Sequence, residues 1–101
     1  MNKHVEKLFS ILEANRIDAA IITEKNNIRY YSGFTSEDAV LLIHQAACYL
    51  ITDFRYIQQA NEQASNFNII ECKNNLWDLV MGIIKKYNII NMGFESHYIT
   101  Y

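Results

Sequence analysis

Two short apolar runs only four residues apart constrain the fold of this chain more than any other feature. Residues 39–43 read AVLLI and residues 48–52 read CYLIT, with HQAA between them. Runs of this length are typical of strands, and a short connection between two of them favours an antiparallel hairpin. A third run, AAIIT at residues 19–23, shows no alternation of polar and apolar residues, which is typical of a strand covered on both faces. The sequence therefore predicts a sheet that contains a hairpin and is buried between helices.

Helical patterns alternate with these strands. In the clearest one, residues 76–87, apolar residues keep the helical period for three turns after an N-cap at Asn74 or Asn75. The other predicted elements are a helix from a cap at Asn2 to about Asn15, a short helix closed by Gly33, a helix over about residues 54–64 capped by Asp53, and strands at residues 67–72 and 90–95. The order α-β-α-β-β-α-β-α-β predicts one α/β domain with a mixed, mostly parallel sheet and helices on both faces.

Charge and composition exclude several classes of protein. The chain has 101 residues and a formal net charge of −2, which argues against a nucleic-acid binder. No apolar run approaches the roughly 20 residues that a membrane span needs, and residues 1–16 are too polar for a signal peptide. Cys48 and Cys72 are too few for a disulfide framework and are predicted to be reduced. We therefore expect a cytoplasmic protein with neither membrane nor nucleic acid as a partner.

No motif for catalysis or metal binding is visible. The histidines, His4, His44 and His97, have no His or Cys partner at a ligand spacing. Glu37 and Asp38 are adjacent, and adjacent side chains of an extended segment point to opposite sides, so they do not form a carboxylate pair. The sequence has neither a Gly-x-Ser-x-Gly elbow nor a glycine-rich phosphate loop. It therefore predicts no catalytic residue, no metal ligand and no cofactor in this chain.

Two groups of residues have both a structural and a functional interpretation. Tyr30, Tyr31 and Phe34 fit either a core or a turn that faces a ligand. Asp53 and Arg55 fit either a helix N-cap with a guanidinium paired to a carboxylate, or a pair that acts on a ligand. The residues alone leave both interpretations open.

Four segments resemble the N-terminal domain of the creatinase, prolidase and Xaa-Pro aminopeptidase family. They read LFSILEANRIDAAIIT at residues 8–23, IRYYSGFTSEDAVLLI at residues 28–43, LITDFRYIQQA at residues 50–60 and NMGFESHYITY at residues 91–101. The third looks like the family's T-D-x-R-Y-x-x-Q-A segment, at the same short distance from the second. One departure lies at residues 35–38, where this chain has Thr-Ser-Glu-Asp and the family often has Gly-Ser after the Gly-Phe pair.

The resemblance implies a three-layer α/β/α fold of the ribonuclease-H-like type, with one antiparallel strand in a mixed sheet. It implies that residues 1–101 are this N-terminal domain, truncated near its C-terminal end. The family continues with another helix and strand and then a pita-bread catalytic domain, which binds two divalent metal ions (Mn, Co or Zn) through two Asp, two Glu and a His. By this resemblance, the chain alone is expected to hydrolyse nothing.

The resemblance also implies a function. We expect the non-catalytic N-terminal domain of a proline-specific peptidase for short peptides, which supports dimerisation and walls the partner subunit's active site. Phe34, as an apolar wall, and Arg55, as a charge, are expected near that substrate entrance, with Gly33, Asp53 and Tyr56 as structural motif residues.

Two alternatives to this function remain. One is a free-standing binding or assembly module of the same fold, and the other is the N-terminal domain of a creatinase-like amidinohydrolase. Whichever of these functions applies, absence of the helix and strand that normally follow would leave part of the sheet and one apolar face open, which predicts a homo-oligomer.

Overall fold

The computed structural model describes residues 3–36 and 38–94, which form helices and strands in alternation. In chain order the elements are α1 (Lys3–Ala14), β1 (Ala19–Ile22), α2 (Lys25–Ser32), β2 (Ala39–His44), β3 (Cys48–Thr52), a 3₁₀ turn (Phe54–Tyr56), α3 (Ile57–Gln63), β4 (Asn68–Glu71), α4 (Leu76–Lys86) and β5 (Met92–Phe94). This order confirms the predicted one. The expected cap at Asn2, and the side chains of Glu37 and His97, lie outside the described residues.

The five strands form one mixed sheet in the order β4-β3-β2-β1-β5. Strand β2 is antiparallel to both of its neighbours and forms the hairpin with β3, in which Ile43 lies opposite Cys48. The pairs β1–β5 and β3–β4 are parallel. Within the described residues, therefore, four strands run in one direction and β2 runs in the other, which confirms the predicted mixed sheet with its hairpin.

Both faces of the sheet are covered by helices. One core joins α1, α2 and α3 to the sheet, and β1 contributes Ala20 and Ile22 to it. A second core joins α4 to the opposite face, where β1 contributes Ala19 and Ile21. Successive residues of β1 thus point into different cores, which is why the strand has no polar position. The expected three-layer α/β/α arrangement is confirmed.

Side-chain caps fix where two of the helical segments begin. The Oδ1 atom of Asn75 accepts a hydrogen bond from the backbone N–H of Trp77 at 2.8 Å, so Asn75 is the cap of α4. Asp53 accepts from the N–H of Arg55 at 2.9 Å, but it caps only the 3₁₀ turn. The helix expected over residues 54–64 is therefore divided, because Tyr56, at φ −113° and ψ 5°, leaves helical geometry before α3 begins.

The cysteines and tyrosines have mainly structural surroundings. Cys48 and Cys72 are both free thiols, as predicted, and burial raises the pKa of the Cys48 thiol. Tyr31 is buried in the core beneath α1 and α2. Tyr30 is partly exposed, and its ring centroid lies 4.0 Å from that of His4. The core interpretation therefore holds for Tyr31, while Tyr30 covers the first helix.

Candidate functional site

The candidate site begins at the end of α2, where the chain turns sharply. Gly33 has φ +85°, and its N–H donates to the carbonyl oxygen of Arg29 at 2.8 Å, which closes the helix in the left-handed conformation. A Cβ atom at this position would lie 2.9 Å from the carbonyl oxygen of Gln63 in α3. Glycine is thus required twice, for its backbone conformation and for the close approach of α3. The predicted closure of this helix by Gly33 is confirmed.

Phe34 follows the turn and points into the protein. Its side chain has 0% exposure, and its ring meets the ring of Tyr56 edge to face with centroids 6.4 Å apart. The sequence predicts an apolar wall at Phe34, but in this structure its ring offers no exposed surface, because the turn at Gly33 directs the ring into the core beneath α2 and α3. Phe34 instead anchors the segment that follows it.

We use the term α2–β2 loop for residues 33–36 together with Asp38. Its middle is tied to α3 by Thr35, whose N–H donates to Oε1 of Gln63 at 3.0 Å. The hydroxyl of Thr35 accepts from Nε2 of Gln59 at 3.0 Å. These residues are separated by 24 and 28 positions, and no sequence pattern links positions so far apart. The sequence alone therefore does not predict this connection.

The far end of the α2–β2 loop is tied to β3. The hydroxyl of Thr52 donates a short hydrogen bond to the carbonyl oxygen of Asp38. The N–H of Asp38 donates to Oγ of Ser36 at 3.3 Å. The side chain of Asp38 remains largely exposed and reaches Nη2 of Arg55 at 3.6 Å. The loop thus places the carboxylate of Asp38 beside the guanidinium of Arg55, which the sequence predicts as a candidate site residue.

Arg55 is held by Asp53 in a two-point contact. Nε donates to one carboxylate oxygen at 3.1 Å, and Nη2 donates to the other at 2.8 Å. These hydrogen bonds lower the pKa of Asp53 and raise the pKa of Arg55 above its usual value. The guanidinium also lies 5.0 Å from the ring centre of Tyr56. Asp53 and Tyr56 thus fix the orientation of Arg55, and its Nη1 makes no hydrogen bond within the described residues, which leaves it for a ligand.

A small cavity of about 210 Å³ opens beside this pair. Its walls include Val40, Ile51, Cys72 and Leu76, while the carboxylates of Asp38 and Asp53 line one side. The cavity lies where β3 ends and α4 begins, the position at which α/β sheets commonly bind ligands. The arrangement suits an apolar group next to a charged one.

The opposite end of the sheet holds a larger cavity of about 660 Å³, lined in part by Arg16, Asp18 and His44. Asp18 accepts from the N–H groups of Ile90 and Asn91 at 2.9 and 3.1 Å, and these bonds lower its pKa. Nδ1 of His44 accepts from the N–H of Ala46 at 3.0 Å. Both side chains therefore hold loops in place.

Neither end offers a metal centre. Within residues 3–36 and 38–94, no group of three or more His, Cys, Asp or Glu side chains is placed to hold a metal ion. Across the same residues, no helix combines the length and apolar character that crossing a membrane requires. The chemistry available to the described site is therefore recognition through Arg55, Asp38 and the small cavity.

Comparison with known proteins places this geometry in a family. Residues 4–101 match the Creatinase/Prolidase N-terminal domain. The chain belongs to this family. The resemblance read from the four segments is thereby confirmed over almost the whole chain.

Individual relatives agree with the family assignment. An uncharacterized peptidase of Bacillus subtilis, YqhT, is 35% identical over 97 residues, which are 96% of this chain and 28% of the relative. The structure of an Xaa-Pro dipeptidase from Bacillus anthracis is 34% identical with a TM-score of 0.86, over 96% of this chain and 27% of that one. The N-terminal domain of the cytoplasmic peptidase PepQ from Mycobacterium tuberculosis is 30% identical with a TM-score of 0.86, over 99% of this chain and 78% of that domain.

The fraction of its length that is matched by this chain differs from one relative to another. The chain spans about a quarter of the YqhT protein and of the Bacillus anthracis dipeptidase, but most of the separately crystallised PepQ domain. What the creatinase/prolidase family shares with this chain is therefore one domain of larger peptidases.

Proposed function

We propose that this chain acts as the non-catalytic N-terminal domain of an Xaa-Pro metallopeptidase, where it supports dimerisation and walls the partner subunit's active site. The observation that carries the proposal is the 34% identity and TM-score of 0.86 to an Xaa-Pro dipeptidase, of which this chain spans only 27%. In such a parent the greater part of the protein, including the catalytic domain, follows this domain. Among the described residues, Arg55 lies beside Asp53 and Asp38, and no group of three or more His, Cys, Asp or Glu side chains is placed to hold a metal ion.

The two divalent ions of the proposed parent, Mn, Co or Zn, would supply Lewis-acid chemistry for peptide hydrolysis. The described residues of this chain do not fit them, because no suitable group of ligands is present among these residues. We therefore assign no step of the reaction to this chain. Its contribution is to bind and to orient.

Arg55 is the residue that we assign to substrate recognition at the entrance of the site. Asp53 holds its guanidinium in one direction, and its Nη1 has no partner among the described residues, so Nη1 can donate to a carboxylate of a short proline-containing peptide. The α2–β2 loop, anchored by buried Phe34, supplies the neighbouring wall with Asp38 at its end. Phe34 thus supports the wall from within the core and does not form its surface.

Dimerisation is supported by apolar side chains that the fold leaves exposed. Trp77 and Met81 lie one turn apart on α4 and are 55% and 49% exposed. Apolar side chains grouped in this way commonly mark association surfaces. The proposed location is the cytoplasm, in keeping with the related PepQ peptidase, which is described as cytoplasmic.

The coding sequence that contains this chain provides the first test. We expect the reading frame to continue past Tyr101 into a domain with two Asp, two Glu and a His as metal ligands. A stop codon directly after Tyr101 would contradict the proposal and favour a free-standing assembly module of the same fold.

Hydrolysis assays provide the second test. The full product of that reading frame, loaded with Mn²⁺, should cleave an Xaa-Pro dipeptide, and the purified 101-residue chain should not. Creatine serves as the competing substrate. Cleavage of creatine without cleavage of Xaa-Pro peptides would instead assign the parent to the amidinohydrolases, and turnover by the short chain alone would remove its non-catalytic role.

A further inference from the structure

Three polar side chains form a clamp between the α2–β2 loop and α3. Oε1 of Gln63 accepts from the N–H of Thr35 at 3.0 Å and from Nε2 of Gln59 at 3.1 Å. The hydroxyl of Thr35 accepts from Nε2 of Gln59 at 3.0 Å and lies 3.2 Å from Nε2 of Gln63. Each member thus contacts the two others, and one backbone N–H of the loop is included.

The clamp acts on Thr35, which lies between two other anchored positions of the loop. Phe34 is fixed on one side by its burial, and Asp38 is fixed on the other by the hydroxyl of Thr52. Thr35 lies between these anchors, where it is exposed to solvent. Without Gln59 and Gln63, the conformation of the loop between Phe34 and Asp38 would be determined only by the few residues of the loop itself. With them, it is set by the position of α3.

The loop also approaches the backbone of α3 closely beside the clamp, at Gly33. Gly33 lies against the backbone of Gln63, so close that a Cβ atom would be 2.9 Å from the carbonyl oxygen. Gln63 therefore meets the loop twice, through its backbone at Gly33 and through its side chain at Thr35. Because of these two contacts, a shift of α3 would move the loop with it.

We propose that Gln59 and Gln63 are positioning residues that determine which lengths of peptide pass the substrate entrance. This inference rests on the proposed function, because it requires the α2–β2 loop to wall a peptidase active site. The glutamines do not touch the substrate. They hold Thr35, and through it the wall beside Arg55, at one distance from the bound peptide, so that a longer peptide is excluded by the fixed loop.

Amide hydrogen exchange of the Thr35 N–H tests the clamp directly and needs no activity. The chain itself serves for this experiment, since the related PepQ domain has been crystallised separately from its parent. We expect the Gln63→Ala variant to exchange this proton about tenfold faster than the wild type. Gln63→Glu keeps the acceptor oxygen and should retain most of the protection.

Gln58→Ala is the matched control, because Gln58 lies on the same helix and donates only to Glu62 among the described residues. It should leave the exchange of Thr35 unchanged. Equal exchange of Thr35 in the wild type and in Gln63→Ala would overturn the clamp. A measured melting temperature for each variant separates local opening from general loss of stability.

Peptide selectivity of the full-length peptidase tests the role of the clamp. In a Gln59→Ala, Gln63→Ala double variant, we expect kcat/KM for a tripeptide with Pro in the second position to rise about threefold relative to that for an Xaa-Pro dipeptide, through KM. Gln58→Ala should leave this ratio unchanged. An unchanged ratio in the double variant, with faster exchange at Thr35, would overturn the selectivity role while the proposed function stands.

Failure of the proposed function has a different signature. If the full-length protein cleaves no Xaa-Pro peptide of either length, the proposed function and the selectivity role are both refuted. The exchange result would then describe a structural clamp only.

Discussion

The two helical layers of this protein cover the same sheet in different ways. On one face, three helices and the α2–β2 loop enclose a core in which Phe34 is fully buried. On the other face, α4 is the one helix among residues 3–36 and 38–94 that packs on the sheet, and it turns Trp77 and Met81 outward. Exposed apolar side chains of the first layer lie on three different elements, with Ile11 on α1, Tyr30 on α2 and Phe54 in the 3₁₀ turn, whereas Trp77 and Met81 lie one turn apart on α4. The comparison indicates that the first layer carries local stability and positions the site, while the second is suited to contact with another protein surface.

Substitution by alanine at two phenylalanines of the first layer, Phe34 and Phe54, should change the free energy of unfolding by very different amounts. Phe34→Ala removes a fully buried ring and leaves a cavity, so we expect a loss of about 3–5 kcal/mol in the free energy of unfolding. Phe54→Ala, at a ring that is 74% exposed, should change this free energy by less than about 0.5 kcal/mol. Urea unfolding followed by circular dichroism measures both, and similar losses in the two variants would contradict the burial of Phe34.

The two helix glycines should respond to alanine with opposite signs. At Gly33 the left-handed backbone and the nearby Gln63 carbonyl oppose a Cβ atom, so Gly33→Ala should cost about 2 kcal/mol. At Gly82, within α4, no described atom outside the adjacent helix backbone and the two neighbouring residues lies within 4 Å of the added carbon, so Gly82→Ala should stabilise by about 0.5–1 kcal/mol. Thermal and urea unfolding report the sign, and stabilisation by alanine at both positions would show that the turn after α2 is not constrained.

The hydrogen bonds between Asp18, which precedes β1, and the segment that joins α4 to β5 should weaken in acid. The backbone hydrogen bonds from Ile90 and Asn91 lower the pKa of Asp18 below its ordinary 3.8. Because the folded chain then binds fewer protons than the unfolded chain, the stabilisation is complete above about pH 3.8 and is lost as the pH falls through the lower, folded value. Asp18→Asn should therefore flatten the dependence of unfolding free energy on pH in this acidic window. If the curves of the wild type and the variant run parallel there, Asp18 carries no such linkage.

Association should depend on the second layer with little effect on stability. A Trp77→Gln, Met81→Gln variant should remain folded, with a stability change within about 0.5 kcal/mol, but should lose the self-association expected of the wild type. Ile11→Gln is the control, since Ile11 is partly exposed on α1 in the first layer. Sedimentation velocity at increasing protein concentration measures the self-association of each variant. A wild type that stays monomeric at every concentration would refute the association surface.

Much of the fold was predictable because its signals are local. The apolar runs of β1, β2 and β3, the period of α4 and the glycine that closes α2 each occupy consecutive residues, and all the predicted elements are present in the predicted order. The division of the helix after Asp53 was not predictable in this way, because residues 54–64 carry no proline or glycine to mark it. The pairing of Arg55 with a carboxylate was predictable from their separation of two residues.

What the sequence by itself determined is therefore the set of elements, the sheet they form and, through its motifs, the family. Only the tertiary structure decided that Phe34 is fully buried in the core, that Thr35 is held by Gln59 and Gln63, and that Asp38 lies beside Arg55. The physical reason is distance along the chain. Helical period and strand length are written in neighbouring residues, whereas burial and hydrogen bonds across about 24–28 positions exist only once packing has brought the elements together.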